Sequence, residues 1–111
     1  MITDTEAEKA LDYIRDNATK AAQARANRIY VEEYRKTIKA QLMKESMKES
    51  ADLPLGAQER EAYSDVKYVQ HLNAIREAVE QDEYFRWMLT AAEAKLKCWQ
   101  TQSANNRKGM V

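Results

Sequence analysis

The sequence predicts an all-α protein, a long antiparallel helical hairpin of two long helices with room for a short third helix at the turn. Three observations predict this fold class. Only two of the 111 residues are Gly and one is Pro, so the chain offers few turns. Ala, Glu, Lys, Arg, Gln and Leu, all strong helix formers, dominate the composition. Apolar residues recur at helical spacing on both sides of a single break near Pro54.

The first helix is predicted to run from about residue 4 to residue 48. Thr3, Asp4 or Thr5 can cap its start, and the carboxylates of the first turn suit the positive end of the helix dipole. Such a helix needs one apolar stripe to pack against the rest of the chain. One predicted stripe comprises Leu11, Ile14, Ala18 and Ala21. A second stripe further along the helix, displaced from the first, comprises Val31, Tyr34, Ile38 and Leu42.

A turn is predicted over residues 49–56. Pro54 disfavours helix at the residue before it, and Gly56 permits the backbone angles of a turn. A short helix over about 57–63 is expected to follow.

The last helix is predicted over about 65–104, with Ser64 or Asp65 as its cap and a frayed polar tail at 105–111. Its apolar seam is predicted to be Tyr68, Leu72, Ile75, Val79, Asp82, Phe85, Leu89, Ala92, Leu96 and Trp99. The whole chain is short enough to be a single helical domain, residues 1–111.

Charged residues are arranged in blocks that favour an antiparallel hairpin. Residues 1–19 carry five acids and two bases, whereas 20–48 carry eight bases and three acids. Residues 95–111 carry four bases and no acids. Folding the chain back at Pro54 sets blocks of opposite sign side by side, so the pattern needs no ligand to explain it.

The last helix has a second apolar stripe, which predicts a second partner surface. A helix in a two-helix hairpin buries one apolar stripe against its neighbour. A second apolar stripe therefore needs a third helix or another copy of the chain to bury it. Trp99 is expected to pack on the chain's own first helix near Leu11 and Ile14, and Trp87 to face a partner. We therefore expect self-association as a homodimer or larger helical bundle of the coiled-coil type. The predicted interface comprises Tyr84, Trp87, Met88, Ala91, Ala94 and Cys98.

A basic face on the first helix is a candidate contact for nucleic acid. Neighbouring Tyr30 and Tyr34 could stack on bases. Glu32 and Glu33 interrupt the patch, however, and the net charge of the chain is zero. The interpretation favoured here is a solvated face paired with carboxylates of the same chain, with weak or no DNA binding. The candidate residues are Arg25, Arg28, Arg35, Lys36 and Lys39.

Catalytic, cofactor and metal motifs are not recognisable in the sequence. His71 is the only histidine, and Cys98, the only cysteine, has no histidine one turn away. We expect a non-enzyme without cofactor or metal. A lone cysteine suits a reducing compartment, and the sequence shows neither a signal peptide nor a membrane span, so the cytoplasm is the expected location.

The chain resembles a family of short all-helical proteins of tailed bacteriophages and prophages over most of residues 25–107. The similar phrases are Glu33-Tyr34-Arg35-Lys36 with Leu42-Met43-Lys44, Gln58-Glu59-Arg60-Glu61-Ala62-Tyr63, Leu72 with Ile75-Arg76-Glu77-Ala78, and Arg86-Trp87-Met88-Leu89 with Ala92, Ala94-Lys95-Leu96 and Trp99. The spacing of Arg86-Trp87, Ala92 and Trp99 is the distinctive part. The chain departs from the pattern at Gln100, where a basic residue is expected after the Trp.

The resemblance implies a phage origin and an accessory role near recombination and replication functions, without a mechanism. The leading hypothesis is therefore a non-enzymatic adaptor that binds a phage or host DNA-processing protein. Two alternatives are a direct DNA-binding module that uses the basic face over 25–48 and a structural component of the phage particle.

Overall fold

The computed structural model describes residues 1–109, and this part of the chain is all-α. It forms three helices, α1 (Asp4–Glu49), α2 (Leu55–Ser64) and α3 (Val66–Gly109), with no strand among residues 1–109. Two long helices with a short one between them confirm the all-α class and the helix order that the sequence predicted. All backbone φ angles in this range are negative, including that of Gly56, which lies in the first turn of α2.

α1 begins where the sequence offers a cap. The Thr3 hydroxyl accepts a hydrogen bond from the Glu6 amide at 3.1 Å, which satisfies one of the free N–H groups of the first turn. Thr3 is thus the cap among the three predicted candidates. At the other end, Lys48 lies in the last turn, where a cation suits the negative end of the dipole.

The connection from α1 to α2 is shorter than the predicted turn. Pro54 is the residue before α2, with φ −59° and ψ 151°, and its carbonyl accepts the Gln58 amide at 3.0 Å. The Gln58 side chain is 8% exposed and donates from Nε2 to the Leu53 carbonyl at 2.7 Å. This bond ties the loop to the first turn, so α2 starts at Leu55 rather than near residue 57.

α3 follows α2 after one extended residue, Asp65, with φ −67° and ψ 140°. The Asp65 carboxylate accepts the Lys67 amide at 2.8 Å, so the predicted cap is formed. At the far end α3 continues through Gly109, and the tail predicted to fray is helical over residues 105–109. Arg107 and Lys108 in the last turn favour this extension through the helix dipole. The rest of that tail, residues 110–111, lies outside the described range.

Close contacts divide the chain into two compact units. The α2 unit is Arg25–Gln81. Its core brings together Leu42, Ala62 and Tyr68. Within this unit α1 and α3 run antiparallel, since the His71 ring bonds the Val31 carbonyl at 2.6 Å and Lys67 pairs with Glu45 at 3.7 Å.

The terminal unit consists of Met1–Ala24 and the chain from Asp82 onward. Its two helix segments are also antiparallel, because the Ile2 amide donates to Gln102 Oε1 at 3.1 Å and Trp99 Nε1 donates to Asp4 Oδ1 at 2.7 Å. Its buried apolar residues are Ala7, Ala10, Ala24, Phe85 and Ala92. Apart from Phe85 these are alanines, which allow two helices to approach closely.

The predicted seams differ from the structure at four residues, three on α1 and one on α3. On α1, Leu11 is 55% exposed and Ala18 and Tyr34 are also exposed. The buried apolar residues described on α1 are Ala7, Ala10, Ala24 and the predicted Leu42. On α3, Leu72 is 41% exposed while the other predicted seam residues are buried or half-buried. Small alanines let the neighbouring helix lie close, and this displaces the larger Leu11 to the flank.

Candidate interaction surface

The second apolar stripe of α3 lies on the surface of the terminal unit. We call it the α3 apolar face, and it comprises Tyr84, Trp87, Met88, Ala91, Ala94 and Cys98. Trp87 is 64% exposed, Tyr84 55% and Met88 39%, and the three small residues are also exposed. Large apolar side chains grouped on one face at this exposure mark a surface able to bind another molecule.

The opposite side of the same helix segment packs within the chain. Phe85 and Ala92 are buried, and Leu89, Leu96 and Trp99 are half-buried. The two apolar stripes predicted on this helix therefore differ in their exposure to solvent in the folded chain. One lies in the core of the terminal unit, and the other is exposed.

Neighbouring side chains contact the aromatic end of the α3 apolar face. The Tyr84 ring meets the Phe85 ring edge-on at 5.5 Å, and the Arg86 guanidinium lies 5.8 Å from the centre of the Trp87 ring. Arg86 also pairs with Glu83 at 3.5 Å. Burial raises the pKa of Tyr13 on α1, and the nearby Tyr84 raises it further. Tyr84 thus borders the packed side of the unit, while Trp87 projects farther out.

The candidate basic face is partly paired with carboxylates. Arg28 pairs with Glu32 at 3.1 Å and Lys36 with Glu33 at 3.3 Å, both within α1. Arg25 and Arg35 are exposed on the same helix. Charge pairing of this kind leaves less of the face available to phosphates.

Lys39, the fifth candidate on the basic face, is bound by α2. Its ammonium pairs with Glu59 at 3.7 Å and lies 4.8 Å from the centre of the Tyr63 ring. Hydrogen bonding to Tyr63 raises the pKa of Lys39, with a further contribution from Glu59. Lys39 therefore belongs to the packing between α1 and α2, although it was predicted as a possible phosphate contact.

Two tyrosines form an exposed stack beside the basic face. The Tyr30 and Tyr34 rings are 5.7 Å apart and nearly parallel at 13°, and Tyr30 is 63% exposed. The Tyr34 ring also lies 5.9 Å from the ring of His71 on α3. The sequence predicts both tyrosines as possible stacking residues for bases, and in the structure they stack on each other.

A shallow cleft of about 290 Å³ was not predicted from the sequence. It lies where the start of the chain meets the end of α3, and its lining comprises Met1, Ile2, Thr3, Asp4, Trp99, Gln102, Ser103 and Asn106. Trp99 forms one wall, two helical turns closer to the start of the chain than the predicted contact near Leu11. No local signal marks this cleft, because it depends on how residues far apart in sequence are paired.

Comparisons with known proteins give no further identification. No protein-family model, no curated protein and no solved structure matches the chain. Residues 1–109 contain no cluster of three metal-ligating side chains. None of the three described helices has a stretch long and apolar enough to cross a bilayer.

Proposed function

We propose that this protein is a non-enzymatic interaction module that binds its partner through the α3 apolar face. The observation that carries the proposal is the exposure of Trp87, 64% in the isolated chain, at the centre of a face that also holds Tyr84 and Met88. Trp and Tyr are the residues that most often dominate the energy of protein interfaces, because they bury large areas with few rotatable bonds.

The surface area of the chain also supports association. A typical folded monomer of 12.9 kDa exposes about 6300 Å². This chain exposes 8496 Å², roughly a third more. A standard stable interface removes about 800 Å² from each partner, so the surplus of roughly 2200 Å² exceeds what one such contact would remove.

The biological role proposed for the module is that of a phage accessory protein in DNA recombination or replication. The support for this role is the resemblance of residues 25–107, above all the Arg86-Trp87, Ala92 and Trp99 spacing, to short helical phage proteins. On this proposal the protein acts in the host cytoplasm and binds a phage or host DNA-processing protein, in addition to any self-association.

Direct DNA binding is the second candidate function, favoured by one observation. The stacked Tyr30 and Tyr34 rings lie on the same helix as exposed Arg25 and Arg35. Proteins that bind single-stranded DNA combine aromatic rings and basic side chains in this way. Against it stand the ion pairs of Arg28 and Lys36 and the zero net charge. A role in the phage particle has no specific contact in its favour.

Site-specific photocrosslinking tests the proposed face. A photoreactive phenylalanine placed at Trp87 keeps an aromatic ring there, and the matched control carries the same group at Glu93, which is exposed elsewhere on α3. In cells that make the protein together with the phage genes, position 87 should crosslink to protein, either another copy or a second polypeptide. Equal crosslinking at both positions, or none at 87, would refute the interaction face.

A further inference from the structure

We infer that the occupant of the α3 apolar face is the same face of a second copy of this chain, running antiparallel and centred near Ala91. This inference rests on the proposed interaction function and adds the partner, its direction and its register. A two-fold contact of this kind is self-complementary, so it closes as a dimer without leaving a further apolar face.

Side-chain size changes along the face in one direction. Its first half carries the large residues Tyr84, Trp87 and Met88, and its second half carries Ala91, Ala94 and Cys98. A parallel pair would set large residues against large at one end and small against small at the other, which leaves a gap. An antiparallel pair sets the large half of each copy against the small half of the other, so both ends fill evenly.

Charge changes along the same helix in the same direction. Residues 77–83 carry four acids and no bases, whereas 95–108 carry four bases and no acids. An antiparallel copy centred near Ala91 places the acidic segment 77–83 of one α3 beside the basic segment 95–108 of the other, and a parallel copy places like charges together. Opposed charges across an interface favour the matched orientation and penalise the other. Size and charge thus select the same orientation independently.

The register follows from the position of the small residues. Ala91 lies midway between Tyr84 and Cys98, seven residues from each, with an exposed side chain. Small residues at the crossing point let two helices approach closely. With the two-fold axis at Ala91, Tyr84 of one copy lies opposite Cys98 of the other, and Met88 lies opposite Ala94.

Disulfide trapping tests this geometry. In the wild-type dimer the two Cys98 thiols would lie about 20 Å apart at 1.5 Å per residue, far beyond the reach of a disulfide. Tyr84→Cys should place its new thiol opposite Cys98 of the other copy. Mild oxidation should then convert the variant to covalent dimer and leave the wild type monomeric on a denaturing gel. The two positions are also about 20 Å apart within one helix, so any disulfide between them must join two chains.

Two variants act as controls, and a third provides a second cysteine design. Adding Cys98→Ala to Tyr84→Cys should abolish the covalent dimer that is linked through positions 84 and 98. Glu93→Cys should not give a covalent dimer, because position 93 lies outside the α3 apolar face. If the loss of Tyr84 itself weakens pairing, Met88→Cys with Ala94→Cys in a Cys98→Ala background keeps Tyr84 and Trp87 and should also form a covalent dimer.

Two results would overturn the inference. Efficient disulfide formation by wild-type Cys98 would show a parallel pair. Failure of both cysteine designs to form covalent dimers, together with a monomer in sedimentation, would show that no second copy occupies the face. In that case a crosslink from position 87 to a different polypeptide would still uphold the proposed function, so the two failures are distinguishable.

Discussion

Replacing Trp87 with Ala is expected to separate association from folding. In the isolated chain the Trp87 side chain is 64% exposed, and the Arg86 guanidinium at 5.8 Å is the ring contact that it makes within α3. Truncating it removes little packing from the core of the terminal unit. The variant should therefore keep its helix content while losing affinity for its partner.

The size of the effect follows from the proposed two-fold contact. Truncation of a central aromatic anchor costs about 2 kcal/mol or more of binding free energy. A two-fold dimer contains Trp87 twice, so the loss is about 4 kcal/mol, or roughly a thousandfold in Kd. A dimer that is stable at micromolar concentration would then be monomeric throughout the usual measuring range.

Sedimentation velocity over a dilution series measures the affinity between copies, and far-ultraviolet circular dichroism measures the helix content. The matched control is Tyr30→Ala, since Tyr30 is 63% exposed and belongs to the α2 unit. This control removes an aromatic ring of nearly the same exposure away from the proposed interface, and it should leave the sedimentation coefficient unchanged.

Two outcomes would contradict the reasoning. If Trp87→Ala unfolds the chain at concentrations where Tyr30→Ala stays helical, folding and association are one event and the single chain has no independent stability. If both variants sediment like the wild type, Trp87 is not part of an interface between copies.

Three further predictions test other parts of the structure. Trp99→Phe should lower the free energy of unfolding by about 1 kcal/mol, because it deletes the hydrogen bond to Asp4 but keeps most of the ring, and urea titration of Trp99→Phe beside an Asp4→Asn variant measures it. Lys39 should stabilise the fold at neutral pH and lose this effect as pH rises above 10.5, its ordinary pKa, because the folded-state pKa is raised by Tyr63 and Glu59. Comparing the pH dependence of unfolding for wild type and Lys39→Met checks this, and an equal decline in both would contradict it. The purified protein should bind single- or double-stranded DNA at physiological salt no more tightly than about 10⁻⁴ to 10⁻⁶ M. A sub-micromolar Kd that weakens with Arg25→Glu and Arg35→Glu would favour the DNA-binding alternative.

Local signals in the sequence were sufficient to predict the three helices and the starts of α1 and α3, but not the start of α2. Thr3 and Asp65 cap α1 and α3 as expected, since a cap depends only on residues within one turn. The end of α3 was harder to predict. Asn105 and Asn106 have poor helix propensity, yet the helix continues to Gly109 because each added residue of an established helix gains a backbone hydrogen bond.

The charge blocks were a weaker guide to how the helices pair. The Lys39–Glu59 pair joins a base of the basic block 20–48 on α1 to a carboxylate of α2. Lys67 pairs with Glu45, however, which reverses the expected signs of the two helices. Exposed ion pairs contribute little free energy, about 0–1 kcal/mol each, so they follow the packing and do not set the register.

The sequence by itself determined that α3 carries two apolar stripes, because helical periodicity places every side chain on a known side of its own helix. Only the tertiary structure decided that the stripe of Phe85 and Ala92 is buried within the chain, that the stripe of Trp87 is left exposed, and that Trp99 lies beside Asp4. Periodicity carries no information about the partner of a face. Which surface covers a helix face depends on the sum of many close contacts between residues that are distant in sequence. In the terminal unit the small side chains of Ala7 and Ala10 allow α1 and α3 to lie close together.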